Sequence, residues 1–425
     1  MLVYFGTFLE FFEFVLFATL FPIFANIFKD DFTSSQQATL QFFLFWIGFV
    51  SRPLGAILLA PIGDLYNRRS LLIVSVVGMA VTTMIMGCIP TSVDSSIIIG
   101  FVVVLRLLQG FFTGVEYSSS TIYVFESLKN KDDQKLSVVY MGMMATLGTA
   151  FAYLVAALCQ LELMAFLSFW RAIFLLTGFL GLWVGGLRLM RLPKDFINIA
   201  PPKMNQNDCS NFKRTIAAFF IVGVSYAPFY YITSFLNIYG IVLKQTDPFF
   251  GFLMNSIICF CVILVLYFIT IRFKYVFFKQ KNIYIYFLLL IISLWPLSYF
   301  IFNSQSVVII TLSQVLLIIF SQLVVANTVG SVPYLFKESM RVRLYTLVQT
   351  LAASLLGGTA PLICHFLATT LGDKSFASFY PLSVVLVALF FYRRVDCPRK
   401  VGHSIMNQCS TNEGYKNDKQ NKNLY

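Results

Sequence analysis

Charged residues are scarce in this sequence of 425 residues, where they make up 12% against 58% hydrophobic residues. Soluble domains carry about twice as large a share of charged residues. The composition therefore excludes an ordinary soluble domain and predicts an all-α membrane protein embedded in a lipid bilayer. The net charge of +12 does not point to nucleic acid, because the basic residues lie between apolar segments, as residues that orient a chain in a membrane do.

Groups that enzymes and metalloproteins need are also missing. The eight Cys contain no CxxC pair, and the two His are isolated. We therefore expect neither a disulfide framework nor a metal site. No GxxxxGK[ST] loop is present, so this chain does not use ATP as its energy source. No nucleophile–base cluster is visible, and we expect no catalytic residues, no cofactor and no enzyme activity.

Twelve apolar stretches are long enough to cross about 30 Å of hydrocarbon. They lie approximately at 2–28, 38–62, 70–90, 97–125, 137–159, 170–192, 215–243, 249–271, 283–302, 306–335, 343–369 and 377–394. A polar break divides them six and six. The predicted organisation is therefore a six-helix bundle at 1–192, a cytosolic linker at 193–214, a second six-helix bundle at 215–394 and a disordered tail at 395–425.

The distribution of basic residues predicts the orientation of the chain. If the amino terminus is cytosolic, most of the 31 Lys and Arg fall in cytosolic segments, including those from Arg188 to Arg214. Positively charged loops remain in the cytosol. Both termini are therefore predicted to be cytosolic.

The fourth span holds two charges at bilayer depth, Arg106 and Glu116. Each costs at least about 2.5–3.5 kcal/mol there, so such residues face a protein interior or a water-filled path and usually have a partner. On a helix, Gln109 and Glu116 share one polar face, and Arg106 lies about 60° from it. We interpret this face as the wall of a polar path, with a buried structural ion pair as the alternative. Beside it, Gly110 and Gly114 allow a neighbouring helix to approach closely.

The first span carries Glu10 and Glu13 on one face. Two carboxylates so close do not both ionise easily in a low dielectric, so one is expected to bind a proton. Arg52 and Arg106 are the available cations. With Glu116, these intramembrane groups sum to −1, or to zero with one proton bound. The alternative is a static salt-bridge cluster.

The turn between the second and third spans reads GDLYNRR, residues 63–69. Asp64 ends one helix and can pair with Arg68 and with a helix end of the opposite half. Such a contact can form in one conformation and break in another, whereas the alternative is a plain basic loop. Asn67 is expected to be left-handed. The predicted conformational latch consists of Gly63, Asp64, Arg68 and Arg69.

The second half offers hydrogen-bonding and aromatic groups, with no acid well inside a span. Tyr230 and Tyr231 could face a methylated ammonium group through their rings. Packing is the alternative for both. We include them among the candidate substrate-binding residues.

Several sequence motifs resemble the signatures of a known protein family. GDLYNRR and LRLLQGFFTG (105–114) are similar to the loop and fourth-span signatures of the major facilitator superfamily. With RPLG (52–55), GTFLEFFEF (6–14), FWRAIF (169–174) and SLLGGTAP (354–361), the chain resembles the metabolite:proton symporter family, which includes proline/betaine and citrate carriers. Departures are Ala60 and Asn67 in the loop, and Thr7 and Glu13 in the first span. RFKYVFFKQK, between the eighth and ninth spans, lacks a second copy of the latch.

The resemblance implies a fold of two six-helix bundles and secondary active transport by alternating access. We expect proton-coupled uptake of a small polar metabolite, such as proline/betaine or an organic acid, driven by the proton gradient. The expected setting is a monomer in the bacterial inner membrane. The alternatives are a proton-independent exchanger or facilitator, and a non-transporting receptor. The residues expected to couple protons or bind substrate are Glu10, Glu13, Arg52, Arg106, Gln109, Glu116, Tyr230 and Tyr231.

Overall fold

Fourteen α-helices build the part of the chain that the structure, a computed structural model, describes. The described residues are 1–25, 34–65, 67–89, 94–161, 169–193, 209–236, 239, 247–272, 280–337 and 340–394. They contain no β-strand, as predicted. The expected tail lies outside them, as does most of the expected linker, so the division into two bundles at this point stays a prediction.

The first half contains seven helices in six spans. They are α1 (Leu2–Ala25), α2 (Ser34–Val50), α3 (Arg52–Leu65), α4 (Arg68–Gly87), α5 (Ser95–Ser127), α6 (Lys131–Leu158) and α7 (Phe169–Arg191). The second span consists of α2 and α3, which are separated by a turn at Ser51.

The second half also contains seven helices in six spans. They are α8 (Cys209–Tyr230), α9 (Pro248–Arg272), α10 (Gln280–Asn303), α11 (Val307–Thr328), α12 (Arg341–Ala352), α13 (Ala360–Thr370) and α14 (Phe379–Arg394). Wider π turns at Tyr231–Phe235 and Ala353–Gly358 extend α8 and join α12 to α13, and a 3₁₀ segment at Val329–Leu335 extends α11. All twelve predicted spans are thus confirmed within the described residues.

Large apolar side chains cover the outside of the molecule. Leu176, Phe179 and Trp183 are exposed on α7, and Leu288 and Ile292 are exposed on α10. Such side chains are stable in contact with lipid but not with water. The chain is an integral membrane protein.

Glycine allows the helices of the first half to approach closely. A Cβ atom at Gly110 would overlap the carbonyl of Gly48 on α2, and one at Gly114 would overlap the carbonyl of Arg52 on α3. The close packing predicted for this glycine pair is therefore present. It fixes α5 against both helices of the second span, on either side of the turn at Ser51.

Several hydrogen bonds connect the halves, among them one from the Tyr153 hydroxyl of α6 to the Thr233 carbonyl after α8. On α9, the Ser256 hydroxyl donates to the Ala150 carbonyl of α6 at 2.9 Å. At the Ala353–Gly358 turn, the Ser354 hydroxyl donates to the Phe49 carbonyl of α2 at 2.7 Å. The polar residues of the first half therefore lie next to a seam between the halves.

Candidate substrate and coupling site

Two buried acids on α1 face different partners. Glu13 accepts a hydrogen bond from the Thr83 hydroxyl of α4 at 2.7 Å. Glu10 lies 3.9 Å from an Nη atom of Arg52, which is an ion-pair distance but too long for a hydrogen bond. Both carboxyl groups are almost completely buried. The predicted acid pair therefore lies inside the protein and not against lipid.

Arg52 begins α3, directly after the turn that divides the second span. Its guanidinium carbon lies 4.5 Å from the centre of the Phe14 ring and 4.4 Å from that of Phe49. Aromatic ring faces attract cations at such distances. The guanidinium is thus held between two rings while its carboxylate partner remains distant.

Arg106 is connected to Glu13 through an amide. Its Nη1 atom donates to the Gln109 side-chain oxygen at 2.8 Å, and the Gln109 amide nitrogen donates to Thr83 at 3.0 Å and to Glu13 at 3.5 Å. The Arg106 guanidinium also lies 4.6 Å from the centre of the Phe14 ring. Phe14 therefore contacts both arginines. We name the set Glu10, Glu13, Arg52, Arg106 and Gln109 the central cluster.

The central cluster has polar atoms of both charges that are not satisfied. Among the described residues, no hydrogen-bond partner exists for Glu10 Oε2, Glu13 Oε1, Arg52 Nε or Arg106 Nη2. Leaving a buried donor or acceptor unpaired costs about 1–3 kcal/mol, and more for charged groups. Proteins keep such groups where a ligand, a proton or water can complete them.

Glu116 lies in a different arrangement. Two nitrogen atoms of Arg188 donate to its two carboxylate oxygens at 2.6 and 3.0 Å, and the hydroxyls of Ser75 and Ser120 donate to it at 2.5 and 3.1 Å. Gly6 makes room for this pair, because a Cβ there would overlap the Arg188 guanidinium. Both charged side chains are fully buried. This geometry matches the structural ion pair that the sequence left open as the alternative.

Arg188 is fully buried beside Glu116, so its predicted place in a cytosolic segment is wrong. Arg188 lies in the last turn of α7. This position falls inside the predicted span at 170–192, and that was the feature of the sequence that indicated an intramembrane arginine. With Arg188 included, three intramembrane acids face three intramembrane arginines among the described residues. The intramembrane charge is therefore zero without a proton, and not −1 as predicted.

The loop signature also differs from expectation in its geometry. Asn67 is extended, with φ −165° and ψ 131°, and its side chain accepts a hydrogen bond from the Arg69 backbone. The expected left-handed conformation is wrong, because the residue caps the start of α4 instead. Arg69 donates to the Leu189 carbonyl of α7. The Asp64 side chain lies outside the described part of the structure, so its predicted role stays a prediction.

Glu126, at the end of α5, was not predicted as part of the latch. Arg68 lies 3.4 Å from one of its oxygens, and Arg341 of the second half lies 3.3 Å from the other. Arg68 also donates to the Gly63 carbonyl at 2.9 Å. A carboxylate of the first half thus bridges an arginine from each half. The feature of the sequence that could have indicated this role of Glu126 is YVFES at 123–127, which places an acid at the end of a long span.

Further contacts close the same end of the bundle, which we name the basic end. It is the end where α3 and α5 finish and where α12 begins. Tyr334, after α11, donates to the Gln134 side chain of α6 at 2.6 Å. Arg341 also donates to the Pro333 carbonyl at 3.1 Å. The halves are therefore in contact across the basic end in this conformation.

The two candidate tyrosines point in different directions. Tyr230 meets Phe45 and Phe49 of the first half edge-on, with ring centres 5.8 and 5.3 Å apart. Tyr231 donates through its hydroxyl to Ser298 of α10 at 2.7 Å. Only Tyr230 lies beside the central cluster, while Tyr231 packs within the second half.

Comparison with known proteins identifies the family. The sequence model of the Major Facilitator Superfamily matches residues 3–363. The chain belongs to this superfamily. As expected of its members, it is a transporter and not an enzyme.

Individual relatives of this superfamily extend over most of the chain. The "Putative proline/betaine transporter" of Staphylococcus aureus (strain COL) is 27% identical over 403 residues, which cover 90% of this chain and 84% of the relative. The "Citrate-proton symporter" of Klebsiella pneumoniae is 25% identical over 404 residues, covering 92% and 90%. The predicted likeness to metabolite carriers is thereby confirmed.

A solved structure of the superfamily shares the fold. The proton:xylose symporter XylE superposes with a TM-score of 0.74 at 12% identity, covering 93% of this chain and 94% of that protein. At this identity the similarity concerns the fold alone. Two bundles of six helices, as in such proteins, are therefore the architecture within which the central cluster lies.

Proposed function

We propose that this protein is a proton-coupled symporter that takes up a small polar metabolite by alternating access. The observation that carries the proposal is the central cluster. It is buried at the seam between the halves and charge-balanced with the Glu116–Arg188 pair, yet it retains unpaired acceptors on two acids and unpaired donors on two arginines. A proton and a polar substrate are ligands that can complete these groups.

The basic end supports the alternating-access part of the proposal. Glu126 holds Arg68 and Arg341 from opposite sides of the seam. Such charge-assisted contacts are worth about 1.5–3 kcal/mol each, enough to favour one conformation and still break during a cycle. We propose that the latch of Gly63, Asp64, Arg68 and Arg69 acts together with Glu126 and Arg341.

The relatives support the class of substrate. One is named for proline and betaine and another for citrate, so carboxylates occur among the named substrates. We propose a monomer in a bacterial inner membrane with both termini in the cytosol. The basic end then faces the cytosol. One charge crossing about 150 mV supplies about 3.5 kcal/mol, which supports about 300-fold accumulation.

One observation favours the alternative of a proton-independent exchanger or facilitator. The charges of the three intramembrane acids and the three intramembrane arginines of the described residues already sum to zero with no proton bound. The two functions differ in their response to a pH gradient. The test is uptake of labelled L-proline, glycine betaine and citrate into proteoliposomes, with and without an inward proton gradient.

Symport predicts concentrative uptake of at least one compound that is lost when a protonophore collapses the gradient. Exchange predicts counterflow that the protonophore does not change. If uptake never responds to the gradient, the symport proposal is wrong and the exchanger remains.

A further inference from the structure

We propose that Arg52 binds the carboxylate of the substrate, and that protonation of Glu10 releases Arg52 for this purpose. The substrate class is then a small carboxylate. This inference rests on the proposed function and adds to it, because it assigns the proton to one acid and the substrate to one arginine.

The three buried acids differ in the number and kind of partners that their carboxylate oxygens have. Glu116 receives four hydrogen bonds, and both of its oxygens are occupied. Glu13 receives hydrogen bonds from neutral partners on α4 and α5. In the described part of the chain, Oε2 of Glu10 and Oε1 of Glu13 both have no hydrogen-bond partner. Of these two acids, only Glu10 has an arginine at ion-pair distance, with Arg52 3.9 Å away. A proton can therefore bind at Glu10 Oε2 without breaking a hydrogen bond of that oxygen.

The three intramembrane arginines of the described residues also differ in how they are held. Arg188 donates to Glu116 and to the Leu72 carbonyl. Arg106 donates to Gln109 at 2.8 Å and to a backbone carbonyl at 3.4 Å. Each of the three has one nitrogen without a partner among the described residues, namely Nε of Arg188, Nη2 of Arg106 and Nε of Arg52. The difference lies in the other contacts, because Arg52 is held by ring faces and by the distant Glu10 carboxylate. The Arg52 guanidinium is therefore the one that can pair with a substrate carboxylate while breaking the fewest existing contacts.

The backbone of Arg52 is fixed even though its head group is loosely held. Gly114 of α5 lies so close that a Cβ there would overlap the Arg52 carbonyl. This contact packs the Arg52 backbone tightly, so we assign the movement to its side chain. One of the rings that hold it, Phe49, also contacts the second half at Tyr230 and at Gly358. A movement of the guanidinium would therefore change the packing of Phe49 against Tyr230 and Gly358 of the second half.

The coupling follows from charge. When Glu10 is ionised, it attracts Arg52, and a substrate carboxylate competes with it. When a proton binds and forms an O–H group on Glu10, this attraction disappears, and Arg52 gains by pairing with the substrate. The proton leaves Glu10 on the other side of the membrane. Charged or titratable groups near Glu10 are Arg52, Glu13, Glu116, Tyr117 and Tyr230.

The test measures binding to the purified full-length protein, separately from transport. The probes are glycine betaine, L-proline and citrate, with choline and pyrrolidine as partners of the first two that lack the carboxylate. We expect at least one carboxylate to bind, at least tenfold more tightly at pH 5.5 than at pH 8. We expect its carboxylate-free partner, where one exists, to bind at least tenfold more weakly.

Two variants then separate the roles. Glu10→Gln imitates the protonated acid, so we expect tight binding of the carboxylate at both pH values, together with exchange but no concentrative uptake. Asp94→Asn, at an exposed acid that precedes α5 and lies outside the central cluster, is the comparison, and its binding should keep the dependence on pH. Arg52→Gln should lower the affinity for the carboxylate at least tenfold, and Arg52→Lys, which keeps the charge, should restore part of it.

Four results overturn the inference. They are equal binding of choline and glycine betaine, unchanged affinity in Arg52→Gln, persistent pH dependence in Glu10→Gln, and no binding of any of the three carboxylates. A failure of the proposed function is distinct from these. It appears as the absence of gradient-driven uptake by the unmodified protein and leaves the binding results interpretable.

Discussion

Arg188 and Glu116 form a two-pronged ion pair between α7 and α5, with neither side chain exposed. Its nitrogen–oxygen distances of 2.6 and 3.0 Å are those of strong charge-assisted hydrogen bonds. The Ser75 hydroxyl from α4 and the Val3 carbonyl from α1 complete the arrangement. The pair therefore ties four helices of the first half together.

Breaking this pair should destabilise the protein. In Glu116→Gln the charge of Arg188 remains buried without its counter-ion, which typically costs about 3–5 kcal/mol. We expect a lower thermal unfolding midpoint in detergent. The double variant Glu116→Gln/Arg188→Met should recover part of the loss, because it removes both charges. If Glu116→Gln is fully stable but loses concentrative uptake, Glu116 belongs to the coupling machinery, as the sequence predicted.

The glycines of α5 and α6 should respond to alanine with opposite signs. Gly114→Ala places a methyl group against the backbone of α3 and should separate the two helices, lowering the unfolding midpoint. Gly142, on α6, has nothing within 4 Å of the position that a Cβ would take. Gly142→Ala should therefore raise stability by about 0.5–1 kcal/mol, the usual gain for replacing glycine within a helix. Equal effects of the two variants would contradict the close packing at Gly114.

Much of this architecture could be predicted from the sequence, because hydrophobic length and the spacing of small residues are local properties. The twelve spans, the tight glycine pair and the burial of Glu10, Glu13 and Arg106 all depend on such patterns. The pairing of the charges could not be predicted in the same way. Membrane helices are apolar on several faces, so the sequence does not show how each one is rotated.

The partners that were missed are distant along the chain. Glu116 and Arg188 are 72 residues apart, and Glu126 and Arg341 are 215 residues apart. Arg188 also lies near the end of a helix, where a basic residue is normally assigned to a loop. Tyr230 and Tyr231 illustrate the same difficulty, because neighbours on a helix point about 100° apart and only packing decides which one faces the seam.

The bridge at the basic end should control opening on that side. Glu126→Gln weakens the contacts with both Arg68 and Arg341, and each 1.4 kcal/mol lost changes the ratio of closed to open conformations by about tenfold. We expect a larger population with the basic end open. Spin labels at the exposed positions Lys129 and Lys337, on opposite halves, should show a longer distance distribution. Arg393→Gln, a change of exposed charge at α14, is the control and should leave the distribution unchanged.

The two neighbouring tyrosines of α8 provide a last comparison. Tyr231→Phe removes the hydroxyl that donates to Ser298, so we expect a loss of about 0.5–1.5 kcal/mol in stability, with uptake retained. Tyr230→Leu removes the ring that packs on Phe45 and Phe49, and Phe49 in turn supports the Arg52 guanidinium. We expect this variant to lose uptake at least fivefold at an unchanged expression level. The measurements are uptake and thermal unfolding of both variants. A transport defect in Tyr231→Phe alone would mean that the substrate site lies on the Tyr231 side of the helix, which contradicts this assignment.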